Sequence, residues 1–133
     1  MGAEPGDLAG LHILIVEDDR SARGILRDLF KYYGANVTVA SSARHGLSRL
    51  RHLNPDVVVA DVRLPDHNAP WLLREARSRD CDAPFVAVTG YDVDEGPLRA
   101  QGFQSLLRKP LDADRLVTAV IAATRARGTG GVI

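Results

Sequence analysis

The 133-residue chain reads as one α/β domain, a doubly wound sheet of five parallel strands with five helices covering both faces. Three observations predict this. Short apolar runs alternate along the chain with stretches of helical periodicity. The runs ILIV, VVVA and FVAV are apolar at every position, as strands covered on both faces must be. The links between elements are short, which fits strand–helix–strand units.

In chain order, MGAEPGDLAG (1–10) is small, polar and Gly/Pro-bearing and is expected to be a flexible leader. LHILIV (11–16) is a strand that ends in the acidic cluster Glu17, Asp18 and Asp19. SARGILRDLFKYYG (21–34) carries apolar residues at helical spacing, with Ser21 as N-cap and Gly34 as the stop. NVTVA (36–40) is strand-like and rich in β-branched residues. SSARHGLSRLRHL (41–53) is a serine-capped helix with Ala43, Leu47 and Leu50 on one face. PDVVVAD (55–61) is a buried strand that closes on one carboxylate, Asp61.

APWLLREARSR (69–79) follows as a helix, and APFVAVTG (83–90) as a strand ending at Thr89. YDVDEGPLRAQG (91–102) is a poor helix because Gly96-Pro97 sits inside it. FQSLLRKP (103–110) is a strand closed by Lys109-Pro110, and residues 112–128 form a helix capped by Asp112. The domain proper is therefore expected over 11–126, with a flexible tail over 127–133.

Composition narrows the class. The chain is 45% hydrophobic, enough for one core, and its formal net charge is zero. Neither nucleic acid nor an anionic membrane is favoured as a direct partner. The single cysteine, Cys81, excludes an internal disulfide and fits a reducing compartment. The N-terminus lacks the basic start and apolar core of a signal peptide, and no apolar run reaches membrane-span length. A cytoplasmic location is the expectation. The histidines at 12, 45, 52 and 67 show no metal-ligand spacing.

Chemistry-bearing residues collect at the carboxyl ends of the strands, where open parallel sheets bind ligands. Glu17 and Asp18 follow the first strand, Asp61 ends the third, Thr89 the fourth, and Lys109 the fifth. Three converging carboxylates repel one another, so a divalent cation is expected among them. Hard oxygen ligands suit Mg²⁺. A carboxylate beside Mg²⁺ can attack a phosphoryl group, while a lysine and a hydroxyl neutralise the equatorial oxygens.

The motifs ILIVEDD, VVVADVRLP, FVAVTG and LLRKP together resemble the receiver domain of two-component response regulators, a CheY-like family, over roughly residues 11 to 126. The resemblance implies a flavodoxin-like, three-layer fold with strand order 2-1-3-4-5. It also implies transfer of a phosphoryl group from a sensor or hybrid histidine kinase to Asp61. Residue by residue, Glu17 and Asp18 fall on the family's acidic pair and Asp61 on the phospho-acceptor. The main-chain carbonyl of Arg63 falls on a third metal ligand, Thr89 on the switch hydroxyl, and Lys109 on the lysine that binds the phosphoryl group. Pro110 resembles a residue that is usually cis. A histidine phosphotransfer protein or an attached output domain is the further partner implied.

Several positions depart from the family pattern. Leu106 stands where an aromatic usually swings inward. The 89–102 stretch is short and holds Gly96-Pro97, so its helix should be short, displaced or mobile, and signalling through another face or little conventional switching is expected. Ala69-Pro70 replaces a usual glycine, so that turn should avoid a left-handed backbone. Trp71 reads either as half-buried packing or as a docking anchor. Arg63 and Tyr91, two residues past Asp61 and Thr89, fall on positions that in the family border the path of attacking water.

Three other classes compete. An Mg²⁺-dependent aspartyl-phosphate phosphatase needs a second carboxylate two residues after the nucleophile, where this chain has Arg63. A flavodoxin-like nucleotide binder needs a Gly- or Ser/Thr-rich phosphate loop, where this chain has EDDRSAR. A pseudo-receiver that is never phosphorylated would not require the intact acidic pair, Asp61, Thr89 and Lys109.

Overall fold

The structure, a computed structural model, describes residues 2–130, with side-chain environments through residue 126. Ten elements alternate: β1 (His12–Val16), α1 (Arg20–Tyr32), β2 (Asn36–Ala40), α2 (Ala43–Leu50), β3 (Val57–Asp61), α3 (Ala69–Ser78), β4 (Phe85–Thr89), α4 (Glu95–Gln101), β5 (Ser105–Arg108) and α5 (Ala113–Gly130). The five strands form one parallel sheet in the order β2-β1-β3-β4-β5. This is the doubly wound parallel sheet the alternation predicted, in the flavodoxin-like strand order the resemblance implied.

The all-apolar strands fill two cores because alternate side chains leave opposite faces of the sheet. Leu14, Val16, Val58, Ala60, Phe85 and Ala87 pack against α2, α3 and α4. Ile13, Ile15, Val57, Val59, Val86 and Val88 pack against α1 and α5. Every residue of β3 and β4 is buried. Each fully buried Val, Leu, Ile or Phe is worth roughly 1.5–3 kcal/mol, so the middle of the sheet anchors the carboxyl edge.

Two boundaries differ from the sequence expectation. The cap of α1 is Asp19, whose carboxylate accepts the Ala22 N–H at 2.8 Å, so Ser21 lies inside the helix. The earlier start leaves the apolar face unchanged. The leader expected to be flexible is packed. Leu8 is fully buried, its N–H donates to the Tyr33 carbonyl at 2.9 Å, and the Ala3 N–H donates to Asp114 Oδ1 at 2.8 Å. Gly34 has φ +101°, and a Cβ there would lie 3.3 Å from the Ala9 backbone, so its lack of a side chain admits the leader. At the other end α5 runs on to Gly130, into the expected tail, and residues 131–133 lie outside the described residues.

α4 is short, as its sequence suggested. Asp94 caps it, and Pro97 falls in the first turn, where a missing N–H leaves no helical bond unmade. Pro70 occupies the first turn of α3 in the same way, after the Asn68 cap. Asp80 is the only non-glycine residue with positive φ among the described residues, so the Ala69-Pro70 turn avoids the left-handed region. Leu106 is buried in ordinary strand packing. Trp71 is half-buried and stacks on His67, with ring centroids 3.8 Å apart.

Candidate functional site

At the carboxyl edge, β1 runs out into Glu17, and the main chain then turns to start α1. Burial leaves Glu17 only 1% exposed, and both its oxygens are engaged. Oε2 accepts the Asp19 N–H at 3.1 Å and Oε1 accepts from Lys109 Nζ at 2.7 Å. Asp18 is exposed, and Asp19 is committed to capping α1. Arg23 reaches back from α1 to donate to the carbonyls of Glu17 and Asp18, at 3.0 and 3.3 Å.

Asp61 ends β3 and is 6% exposed. Its Oδ1 accepts the Arg63 N–H at 3.1 Å, and its Oδ2 accepts from Lys109 Nζ at 2.9 Å. Lys109 follows β5 and precedes a cis Lys109–Pro110 bond. The ammonium therefore bridges two buried carboxylates from different strands. Burial pulls it down, but the hydrogen bonds and charges of Glu17 and Asp61 outweigh that and hold it above its ordinary value. Burial pushes the Glu17 carboxyl up, and Asp61 adds to the rise. The Lys109 and Asp19 hydrogen bonds only partly offset it.

Glu17, Asp18 and Asp61 each offer a carboxylate oxygen, and these atoms all lie within 4.8 Å of one another. A set of hard oxygen donors at that spacing fits a small divalent cation. Glu17, Asp18, Asp61, Arg63 and Lys109 line one cavity of about 580 Å³. Thr89 does not line it. Thr89 is fully buried at the end of β4, next to Val88, the register partner of Asp61, and its hydroxyl accepts the Tyr91 N–H at 3.1 Å. Its neighbours Gly90 and Tyr91 reach the cavity, where the Arg63 guanidinium stacks 3.9 Å from the Tyr91 ring centroid.

Other contacts were not legible in the sequence. Leu64 and Pro65 also line the cavity. Arg108, beside Lys109, donates to the Val93 carbonyl and ties β5 to the loop after β4. Asp66 crosses from the loop after β3 to the start of α2. Its Oδ1 accepts the Ala43 N–H at 3.0 Å and its Oδ2 the Arg44 N–H at 2.9 Å. A carboxylate that caps a helix 22 residues away leaves no local signature.

An open parallel sheet whose carboxyl edge holds buried acids against one lysine defines a receiver-type signalling module. Residues 13–121 match the family described as response regulator receiver domain, and the chain belongs to that family. A protein of Leptolyngbya boryana described as an uncharacterized 14.6 kDa protein in the sodA1 3′ region is 35% identical over 117 residues, covering 85% of this chain and 89% of its own. The transcriptional regulatory protein ZraR of Escherichia coli K12 is 34% identical over 80% of this chain, which spans only 24% of ZraR. Among solved structures, the receiver domain of a putative LuxO repressor from Vibrio parahaemolyticus superposes with a TM-score of 0.84 at 21% identity, covering 92% of this chain and 95% of that one. No helix among the described residues is long and apolar enough to cross a membrane.

Proposed function

We propose that this domain accepts a phosphoryl group from the phosphohistidine of a sensor or hybrid histidine kinase onto Asp61, with Mg²⁺ held by Glu17, Asp18, Asp61 and the Arg63 carbonyl. The observation that carries this reading is the double contact of Lys109 with Glu17 and Asp61 beside three convergent carboxylates. Bound Mg²⁺ would neutralise charge on the phosphoryl oxygens.

The protein's own groups do the rest. Asp61 Oδ1 accepts the Arg63 N–H and Oδ2 accepts from Lys109, so Oδ2 becomes the attacking oxygen as Lys109 passes to the phosphoryl oxygens. A bond forms from Oδ2 to phosphorus as the phosphorus–nitrogen bond to the donor ring breaks; the electron pair stays on that nitrogen, and the ring, protonated at its other nitrogen, leaves as neutral imidazole from the acyl phosphate. Lys109 follows the phosphoryl oxygens as charge moves onto them. Thr89 does not line the cavity, so its side chain would have to rotate toward the phosphoryl group; its own proton is then free to donate, because its oxygen already accepts the Tyr91 N–H.

An apolar groove of about 220 Å³ between α1 and the start of α5, lined by Ile25, Leu29, Pro110 and Leu111, borders Lys109. It suits the helix of a kinase or histidine phosphotransfer protein carrying the donor histidine. Output through an attached domain or a separate partner is part of the same reading.

The test is labelling with acetyl phosphate, with and without Mg²⁺, of wild type and Asp61→Asn. Magnesium-dependent, base-labile labelling of wild type alone is expected. Labelling that persists in Asp61→Asn, or none in wild type, refutes the reading and leaves a non-phosphorylated interaction module.

A further inference from the structure

Residues 41–54, which contain α2, hold Arg44, His45, Arg49, Arg51 and His52 and not one carboxylate. Three arginines elsewhere on or beside the helices pair locally, Arg27 with Asp28, Arg79 with Glu75 and Arg99 with Glu95. Arg44, Arg49 and Arg51 form no ion pair among the described residues, and all three are exposed. The positive charge is segregated, since the whole chain has a formal net charge of zero.

A cavity of about 270 Å³ lies between α2 and β2, lined by Thr38, His45, Ser48, Arg49, His52 and Leu53. Every polar side chain in it can donate a hydrogen bond and none is a carboxylate. His45 Nδ1 accepts the Ser41 N–H, which leaves its Nε2 as the N–H donor.

The same helix is joined to the proposed phosphorylation site. The loop of residues 62–68 begins directly after Asp61, and its Asp66 holds the first two N–H groups of α2. A change in that loop therefore bears on the start of α2 without passing through α4.

We propose that α2 is a docking face for an acidic polypeptide segment and that the Asp66 clasp couples this face to the state of Asp61. Arg44 and Arg51 lie outside the cavity that His45, Arg49 and His52 line, so the charge extends beyond the reach of one small anion. Nucleic acid is disfavoured because two helical turns span only about 12 Å and the chain carries no overall positive charge. The coupling half rests on Asp61 being the acceptor, and the docking half does not.

The experiment titrates an oligo-glutamate peptide into the full chain and follows backbone amide resonances. Salt-sensitive shifts at Thr38, Arg44, Arg49 and His52 are expected. The Arg49→Gln/Arg51→Gln double variant should lower affinity about 5-fold, the scale of two exposed ion pairs. Shifts centred on other elements, or an unaffected double variant, overturn the docking face. A DNA duplex that binds the same residues more tightly than the peptide overturns the choice of partner.

Repeating the titration with Mg²⁺ and beryllofluoride, a phosphoryl mimic, should change the affinity of wild type and leave Asp66→Asn unchanged. Equal affinity with and without the mimic overturns the coupling. If acetyl phosphate fails to label Asp61 while the peptide still maps to α2, the proposed function falls and the docking face stands.

Discussion

The Arg63 guanidinium carbon sits over the Tyr91 ring, 3.9 Å from its centroid, on the lining of the cavity that holds Asp61. The pair joins the loop after β3 to the loop after β4, and both residues are exposed while Asp61 is buried. An acyl phosphate on Asp61 would share this cavity with the pair, whose two side chains narrow the approach of water. A cation–π contact at an exposed site is worth about 0.5–1 kcal/mol, so Arg63→Ala or Tyr91→Ala should shorten the phosphoryl half-life about 2- to 5-fold. The double variant should lose no more than either single one. Decay of the labelled protein measures this, and an unchanged half-life contradicts it.

Glu17 carries the next prediction. Its carboxyl is raised above the ordinary 4.5, first by burial. A raised value means stability that is complete below the ordinary value and is lost as pH rises through the folded one. Once ionised, Glu17 therefore weighs against the metal-free fold. Glu17→Gln should raise Tm in chelator-treated buffer and abolish the Tm gain from Mg²⁺. The stabilisation of wild type behind that Tm gain should approach ~2.7 kcal/mol at ~100 times Kd. Calorimetry with and without Mg²⁺ reads both, and an undiminished Mg²⁺ gain in the variant contradicts the ligand assignment.

Asp66 should show the opposite sign. Burial acts to raise its carboxyl, but the Arg44, Ala43 and His67 N–H groups outweigh that and hold it below the ordinary 3.8. Its contribution is present above that value and lost as pH falls through the lower folded one. Asp66→Asn should destabilise the protein at neutral pH by about 1 kcal/mol, the scale of a lost helix cap, and flatten the acid limb of the stability curve. Urea melts at neutral pH and at pH about 3 check it. Equal loss at both pH values would show that the charge is not what matters.

Ile25 is 68% exposed on α1, in the groove beside Lys109. Ile25→Asp should slow phosphotransfer from a kinase or histidine phosphotransfer protein at least about 10-fold, as expected when a charge is forced into an apolar contact. Labelling by acetyl phosphate, which needs no groove, should be unchanged. If both reactions slow equally, the groove is not the donor's seat.

The alternation of elements, the buried strands and the residues at the strand ends were all legible in one dimension. Strand periodicity and local chain breaks are properties of near neighbours, and Glu17, Asp18, Asp61 and Lys109 each stand where a strand runs out. The Asp19 cap was misread for a local reason, since Asp and Ser are equally good caps two residues apart. The packed leader was missed because its composition resembles that of free chain. Only Leu8, one apolar residue among small and polar ones, marked it, and its burial depends on Gly34 and Tyr33 far along the chain.

By itself the sequence determined the parallel sheet, the two-faced core and the set of acidic, hydroxyl and lysine groups delivered to one edge. The strand period and the direction of each crossover leave no other place for them. Only the tertiary structure decided which groups touch. It set Lys109 between Glu17 and Asp61, laid Arg63 on Tyr91, and carried Asp66 to the start of α2. Such contacts join residues 22 to 92 positions apart, and their geometry follows from sheet register and loop path, which no local pattern encodes.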